Sequence, residues 1–281
     1  MPRDVSTPVG ARAVTAVAPA KINLHLGVGD LRPDGFHDLL TVYRAVDLWE
    51  EVTVALVDGD DPDDDDEVIV SGPGAGQVPT DRSNLAARAV DLLREEAGTD
   101  APLSIRIRKG VPVAGGMAGG SADAAAALIA TDRLLGLGLG RPALEERAAR
   151  LGSDVPFCLR GGTALGTGRG EKLATLLHAR AEQHVVVALA DGGLSTPVVF
   201  AELDRLRAER HSTDRHSAEP HSADRPAPGR EVPRAGGVES LVEALGGDDP
   251  ARVAGLLAND LEPAALSLMP VLRRTLRAGA D

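Results

Sequence analysis

Only one cysteine, Cys158, occurs in the 281 residues, which excludes an internal disulfide framework. Aromatic residues are almost as scarce: three Phe, one Tyr and one Trp. The core must therefore be assembled from Ala, Val and Leu, and each aromatic side chain calls for its own explanation. Long apolar runs are missing too. No stretch approaches the roughly 20 residues that span a bilayer, and the opening MPRDVSTPVGARAV has no apolar core of a secretion signal. Positive charge is in deficit: 30 Lys and Arg stand against 42 Asp and Glu, a formal net charge of −12. That balance argues against nucleic acid or a membrane as partner. Eight of the acids fall in one run, Asp58 to Glu67 (DGDDPDDDDE), outside which the chain is only mildly acidic. A soluble, cytoplasmic protein is expected, long enough for one large or two ordinary domains.

Along the chain, residues 1–12 read as a loose leader, and Val14 to Val28 as a strand broken by a bulge or turn at Pro19. Pro33-Asp34-Gly35 marks a turn within Leu31 to His37. Glu51–Val57 and Val68–Val70 read as a hairpin whose connection is lengthened by the acidic run. That run lacks the spacing of a calcium loop and reads as a self-repelling solvated segment. Asn84 opens an amphipathic helix over Leu85 to Glu96, and Leu103 to Arg108 (LSIRIR) alternates as a strand does. Pro142 to Leu151 is a short helix, Val185 to Ala190 an apolar run of strand type, and Thr196-Pro197 the start of another helix. Arg207 to Ala235 repeats a His-Ser unit among Pro, Arg and acid, and reads as a disordered insert rather than a metal site. Short helices follow, from Val238, Pro250 and Leu261 onward, the last broken near Pro263 and Pro270.

The stretch with the clearest chemistry is VPVAGGMAGGSADAAAAL, Val111 to Leu128. It places a loop holding Gly115, Gly116, Gly119 and Gly120 between the LSIRIR strand and an Ala-rich helix. Glycines let the backbone approach a ligand closely, and a helix start presents unpaired N–H groups with the positive end of its dipole. Polyphosphate suits such a cradle. No basic residue follows Gly120, so the loop is not of the GxxxxGK[ST] type, and it is a poor dinucleotide fingerprint. Lys21 and Asn23, in APAKINLHL, share one strand face by their period of two. Taken alone they fit the solvent face of an edge strand. Asp154, in GSDVPF, taken alone fits a helix N-cap. Phosphoryl transfer requires positioning, charge neutralisation and an acceptor hydroxyl oriented by a carboxylate, which a Lys, an Asp and a phosphate loop supply if they converge.

Four segments in order, APAKINLHLGVGDLRPDGFHDLLTVYRAVDLWEEVTV, VPVAGGMAGGSADAAAAL, GSDVPFCLRGGTALGTGRGE and TPVVF, resemble the GHMP kinases over roughly residues 14–205; NDLEPAAL at Asn259 to Leu266 also fits. The resemblance implies an α+β, two-domain GHMP kinase fold. Its N-terminal domain, 1–175, would be ribosomal-protein-S5-domain-2-like. Its C-terminal part, 176–281, would be ferredoxin-like and interrupted by the insert 207–235. The family's further glycine motif, of GSGPT type, does not follow NDLEPAAL before Asp281, so an incomplete C-terminal domain is expected. Lys21 and Asp154 would form the catalytic pair beside the acceptor hydroxyl. Pro112, Val113, Ala114, Gly115, Gly116, Met117, Ala118, Gly119, Gly120, Ser121 and Ala122 would hold ATP, the phosphoryl donor, with Mg²⁺ bridging its oxygens. The acceptor would be a small molecule carrying a cytidyl group. Asn23 would lie beside it, Gly35, Phe36 and His37 would read the cytosine, Phe36 and Phe200 would sandwich the ring, and Thr196 and Pro197 would line the same pocket. No protein metal site is expected, and the chain would be a monomer or homodimer. A GHMP kinase with another acceptor, such as homoserine or mevalonate, would keep the loop without needing Gly35–His37 or TPVVF. A nucleotide-binding fragment without activity would share every motif.

Overall fold

The structure, a computed structural model, describes residues 12–57, 67–177, 182–217 and 237–280. The start of the expected leader (1–11), the acidic run up to Asp66, and residues 218–236 of the insert region lie outside the described residues. The chain divides into two compact units: Met1–Ile22 with Tyr43–Leu177, and Asn23–Val42 with His178–Asp281. Strands β1 (Ala13–Leu31) and β2 (His37–Leu56) each contribute residues to both.

In the first unit, β3 (Glu67–Ser71), α1 (Leu85–Ala97), β4 (Leu103–Arg108), α2 (Gly119–Leu135), α3 (Arg141–Leu151), α4 (Val155–Arg160), β5 (Thr163–Thr167) and β6 (Lys172–Thr175) follow in sequence. The strand order is β3-β4-β2-β1, with β5 pairing β2 and β6 pairing β5. Alternation in LSIRIR turns Leu103, Ile105 and Ile107 inward. There they pack with Val52 and Val54 of β2 and Ala16 and Ala18 of β1 against α1, α2 and α4. Helix α2 buries Ala122, Ala124, Ala125, Ala126, Ala127, Leu128 and Ala130, so alanine lets it lie close to its neighbours. Helix α1 starts where Asn84 Oδ1 accepts from the Ala86 N–H at 2.8 Å, and ends at the left-handed Gly98.

Two expectations about this unit are overturned. Glu51–Val57 and Val68–Val70 do not form a hairpin. β4 inserts between β2 and β3, pairing antiparallel with β2 and parallel with β3. The connection from β3 to β4 carries α1, the crossover that a parallel pair requires. Nor is β1 broken at Pro19: it runs unbroken from Ala13 to Leu31. The Lys21 N–H leaves the ladder to donate to the Met117 carbonyl (3.1 Å), and Pro19, two residues earlier, directs its nitrogen to the same side. Its missing N–H thus costs no ladder bond.

In the second unit, the later half of β1 pairs in parallel with β7 (Ala258–Asn259), His25 lying opposite Ala258 and Leu26 opposite Asn259. The helices are α5 (Thr196–Ser217), α6 (Val238–Ala244), α7 (Pro250–Ala254), α8 (Glu262–Leu268) and α9 (Leu272–Ala280). One cluster of its core is Leu26, Val28, Val199, Leu203 and Ala264, and Leu241, Ala244 and Leu245 are also buried. Val185 to Ala190 forms no strand, and Val186 is 94% exposed. β-branched side chains favour a pleated surface only where a partner ladder exists, and none of the described residues supplies one. The insert expected from Arg207 does not begin there. Helix α5 continues to Ser217, and the Arg207 guanidinium donates to the Val28 carbonyl (2.7 Å) and contacts the Asp260 carboxylate (3.4 Å). No helix among the described residues is long and apolar enough to cross a membrane.

Candidate active site

The glycine loop leaves β4 and enters α2 through two alanines in the left-handed region, Ala114 (φ 58°) and Ala118 (φ 61°), with Gly116 at φ 69° between them. Each alanine stores on the order of 1 kcal/mol that a glycine would not. Ala118 is the N-cap of α2 and its carbonyl accepts the first helical bond, from the Ala122 N–H at 2.8 Å. The N–H groups of Gly119, Gly120 and Ser121 consequently have no acceptor within the helix. Ala114, Gly115, Gly116 and Gly120 are exposed, Pro112, Val113, Ala118, Gly119 and Ser121 half-buried, and Met117 and Ala122 buried. Exposed amides at a helix start are suited to phosphate oxygens.

Lys21 and Asp154 meet in the same unit. The Lys21 Nζ lies 3.4 Å from Asp154 Oδ2, the lysine buried and the aspartate side chain 30% exposed. Asp154 occupies the residue before α4, yet its side chain makes no capping bond. Its Oδ1 accepts from the Tyr43 hydroxyl at 2.9 Å, and the Tyr43 ring lies under the Lys21 ammonium at 5.6 Å. Burial, reinforced by Asp154, drives the Tyr43 phenol strongly upward, so it remains a donor. Lys21 is also tied to the loop through its backbone N–H and Met117.

Beneath the loop is a second, sealed cluster. Lys109 Nζ lies 2.7 Å from Glu50 Oε1 and 2.5 Å from Asp123 Oδ2, all three side chains at most 3% exposed. Glu50 Oε2 accepts the Gly110 N–H (2.9 Å), and Gly119 approaches Oε1 so closely that a Cβ there would stand 3.0 Å from it. The cluster therefore grips both ends of the glycine loop. Burial, with Glu50 adding and Lys109 opposing, pushes the Asp123 carboxyl up to about 6.

The remaining expected residues fall in the second unit. Asn23 Nδ2 donates to Thr41 Oγ1 at 2.7 Å, and that hydroxyl donates to the His25 carbonyl at 2.7 Å. Gly35 (φ 82°) forms the turn in which the Arg32 N–H reaches the Phe36 carbonyl. Phe36 is 47% exposed and His37 buried. The imidazole of His37 stacks on Phe200, centroids 5.0 Å apart and planes at 26°, while its Nε2 lies 3.0 Å from Asp204 Oδ1. Thr196 and Pro197 begin α5 and are exposed. Among the described residues no three His, Cys, Asp or Glu side chains converge to hold a metal ion.

Sequence reasoning missed Tyr43, Glu50, Lys109 and Asp204. Two of these leave a trace in the pattern: Lys109 continues the inward set of Ile105 and Ile107, and Glu50 that of Val52 and Val54. A charge at an inward position signals a buried partner.

Comparison with known proteins agrees with this architecture. The model of the GHMP kinases N terminal domain matches residues 84–162. A 4-diphosphocytidyl-2-C-methyl-D-erythritol kinase of Nocardia farcinica is 53% identical over 262 residues, covering 93% of this chain and 76% of that protein. One of the same name from Mycolicibacterium gilvum is 52% identical over 269 residues, covering 96% and 76%. A crystal structure of a 4-(cytidine 5′-diphospho)-2C-methyl-D-erythritol kinase is 29% identical with a TM-score of 0.59, and the match covers 93% of this chain and 80% of that one.

Proposed function

Because the chain belongs to the 4-diphosphocytidyl-2-C-methyl-D-erythritol kinases, within the GHMP kinases, we propose that it transfers the γ-phosphoryl of ATP to the 2-hydroxyl of 4-(cytidine 5′-diphospho)-2-C-methyl-D-erythritol. The observation that carries this reading is the pairing of Lys21 with a partly exposed Asp154 that caps nothing. Asp154 Oδ2 accepts or orients the proton of the attacking hydroxyl. Lys21 lies beside that carboxylate and stabilises the developing alkoxide. The exposed amides at the start of α2 receive the phosphates, and the rate enhancement is mostly positioning and electrostatics. Magnesium, when bound with ATP, supplies positive charge to the phosphate oxygens. His37 and Phe200 read the cytidyl group, with Phe36, Thr196 and Pro197 around it.

A coupled ADP-release assay tests the reading, with the cytidyl acceptor run beside homoserine, mevalonate and galactose. Release that depends on the cytidyl acceptor supports it. Turnover of another acceptor in its place, or ATP binding with no turnover of any, overturns it.

A further inference from the structure

The two oxygens of Glu50, a fully buried residue of β2, serve opposite ends of the glycine loop. Oε2 accepts the Gly110 N–H at 2.9 Å where the chain leaves β4, and Oε1 abuts Gly119 where the chain enters α2. We propose that Glu50 is a positioning residue of the ATP site, which sets the span of the loop and so the place where its amides meet the triphosphate. This rests on the reading of the loop as the ATP-binding element.

The carboxylate is not at liberty to swing away. Lys109 Nζ lies 2.7 Å from Oε1 and is itself held at 2.5 Å by Asp123 Oδ2, in the second turn of α2. Stability alone does not account for three sealed charges, since apolar side chains of similar volume often serve a core as well or better. What this cluster adds is a fixed separation between two pieces of backbone. The loop needs such a constraint. Ala114 and Ala118 lie in the left-handed region, which persists only where the surroundings over-determine it. The middle of the loop is anchored on β1: Val111 and Met117 cluster with Ala20, and the Met117 carbonyl accepts the Lys21 N–H at 3.1 Å. With the middle so fixed, the separation of the two ends decides the curvature of the loop, and Glu50 is the side chain that touches both ends.

ADP release by the full 281-residue chain is followed with ATP and the cytidyl acceptor varied in turn, and ATP binding is measured by calorimetry. In E50Q one end of the side chain becomes a donor, so it cannot both accept from Gly110 and face the Lys109 ammonium. Its KM and Kd for ATP should rise about tenfold, with the KM for the acceptor within about twofold of the parent. A residue that merely stabilised the fold would leave both constants of the folded protein unchanged. That result overturns the proposal, and so does a parallel rise in both KM values. G119A removes no charge and favours the helix, so it decides the matter should E50Q fail to fold. Its Cβ would stand 3.0 Å from Oε1, and ATP affinity should fall about fivefold. Shortening the carboxylate makes room, so the same change should cost less in E50D than in the parent. An equal cost in both backgrounds puts the new methyl against the nucleotide instead of Glu50 and overturns the proposal. ATP affinity of G119A equal to that of the parent overturns it as well. A parent that binds no ATP removes the reading of the loop itself.

Discussion

Two lysines of the first unit carry the same chemistry in opposite surroundings. Lys21 lies against Asp154, whose side chain remains 30% exposed and whose second oxygen is held by Tyr43. Lys109 lies against two carboxylates, Glu50 and Asp123, and neither is more than 3% exposed. The first cluster has a carboxylate that a substrate can reach. The second has spent its contacts on the ends of the glycine loop and cannot react with anything. Accessibility, not residue type, separates the pair we propose to be catalytic from the cluster that lies sealed beneath the loop.

The largest effect that would test this contrast comes from Lys109→Met. It leaves two carboxylates buried without their cation, and about 3–5 kcal/mol of folding stability should be lost in urea titration. A loss under about 1 kcal/mol would show the brace to be idle. Next come Asp154→Ala and Lys21→Ala. Each should lower turnover of the cytidyl acceptor by ~10²-fold or more with the far-ultraviolet spectrum unchanged. Activity within threefold of the parent would remove the pair from the mechanism.

Asp123→Asn sharpens the comparison through pH. The Asp123 carboxyl rises from an ordinary 3.8 to about 6 in the folded chain. Between those values the folded state holds a proton that the unfolded state has lost. Its contribution to stability therefore falls as pH rises through that window and is flat above it. The asparagine variant should lack that component, so its stability gain over the parent grows from pH 4 to pH 6 and then levels. A constant difference across the range would show that the carboxyl titrates normally. The smallest effect is expected of Tyr43→Phe, which keeps the ring against Phe157 (centroids 4.8 Å apart) and deletes only the bond to Asp154. About 0.5–1.5 kcal/mol is expected, seen as a few-fold loss in turnover; a loss as large as that of Asp154→Ala would give Tyr43 a larger part than orientation.

Local chemistry was readable from the sequence where neighbours in the chain decide the outcome. LSIRIR gave β4 to the residue, and Asn84 gave the start of α1. The glycines marked the passage from loop to helix, although Gly119 and Gly120, read as loop, already belong to α2. What required the fold was anything set by residues far apart. Nothing near Val68 indicates that its partner is Ile105 rather than β2, because a parallel pair has no turn to announce it. Pro19 looks like a break until the direction of its nitrogen is known. Likewise Asp154 reads as a cap until Lys21 and Tyr43, distant in sequence, are seen to hold its oxygens. Asp204, in a helix rich in charge, has no distinguishing mark before His37 is placed against it.

The insertion of β4 between β2 and β3 also bears on how the chain emerges from a ribosome. β2 is synthesised before β3, α1 and β4, yet one of its edges is completed only by β4. β3 likewise has no ladder until the helix behind it has been made and the chain has returned. Through that interval the nascent chain carries an open, valine-rich strand edge of the kind that recruits other chains. Closing it depends on a single six-residue strand, Leu103 to Arg108, arriving in register.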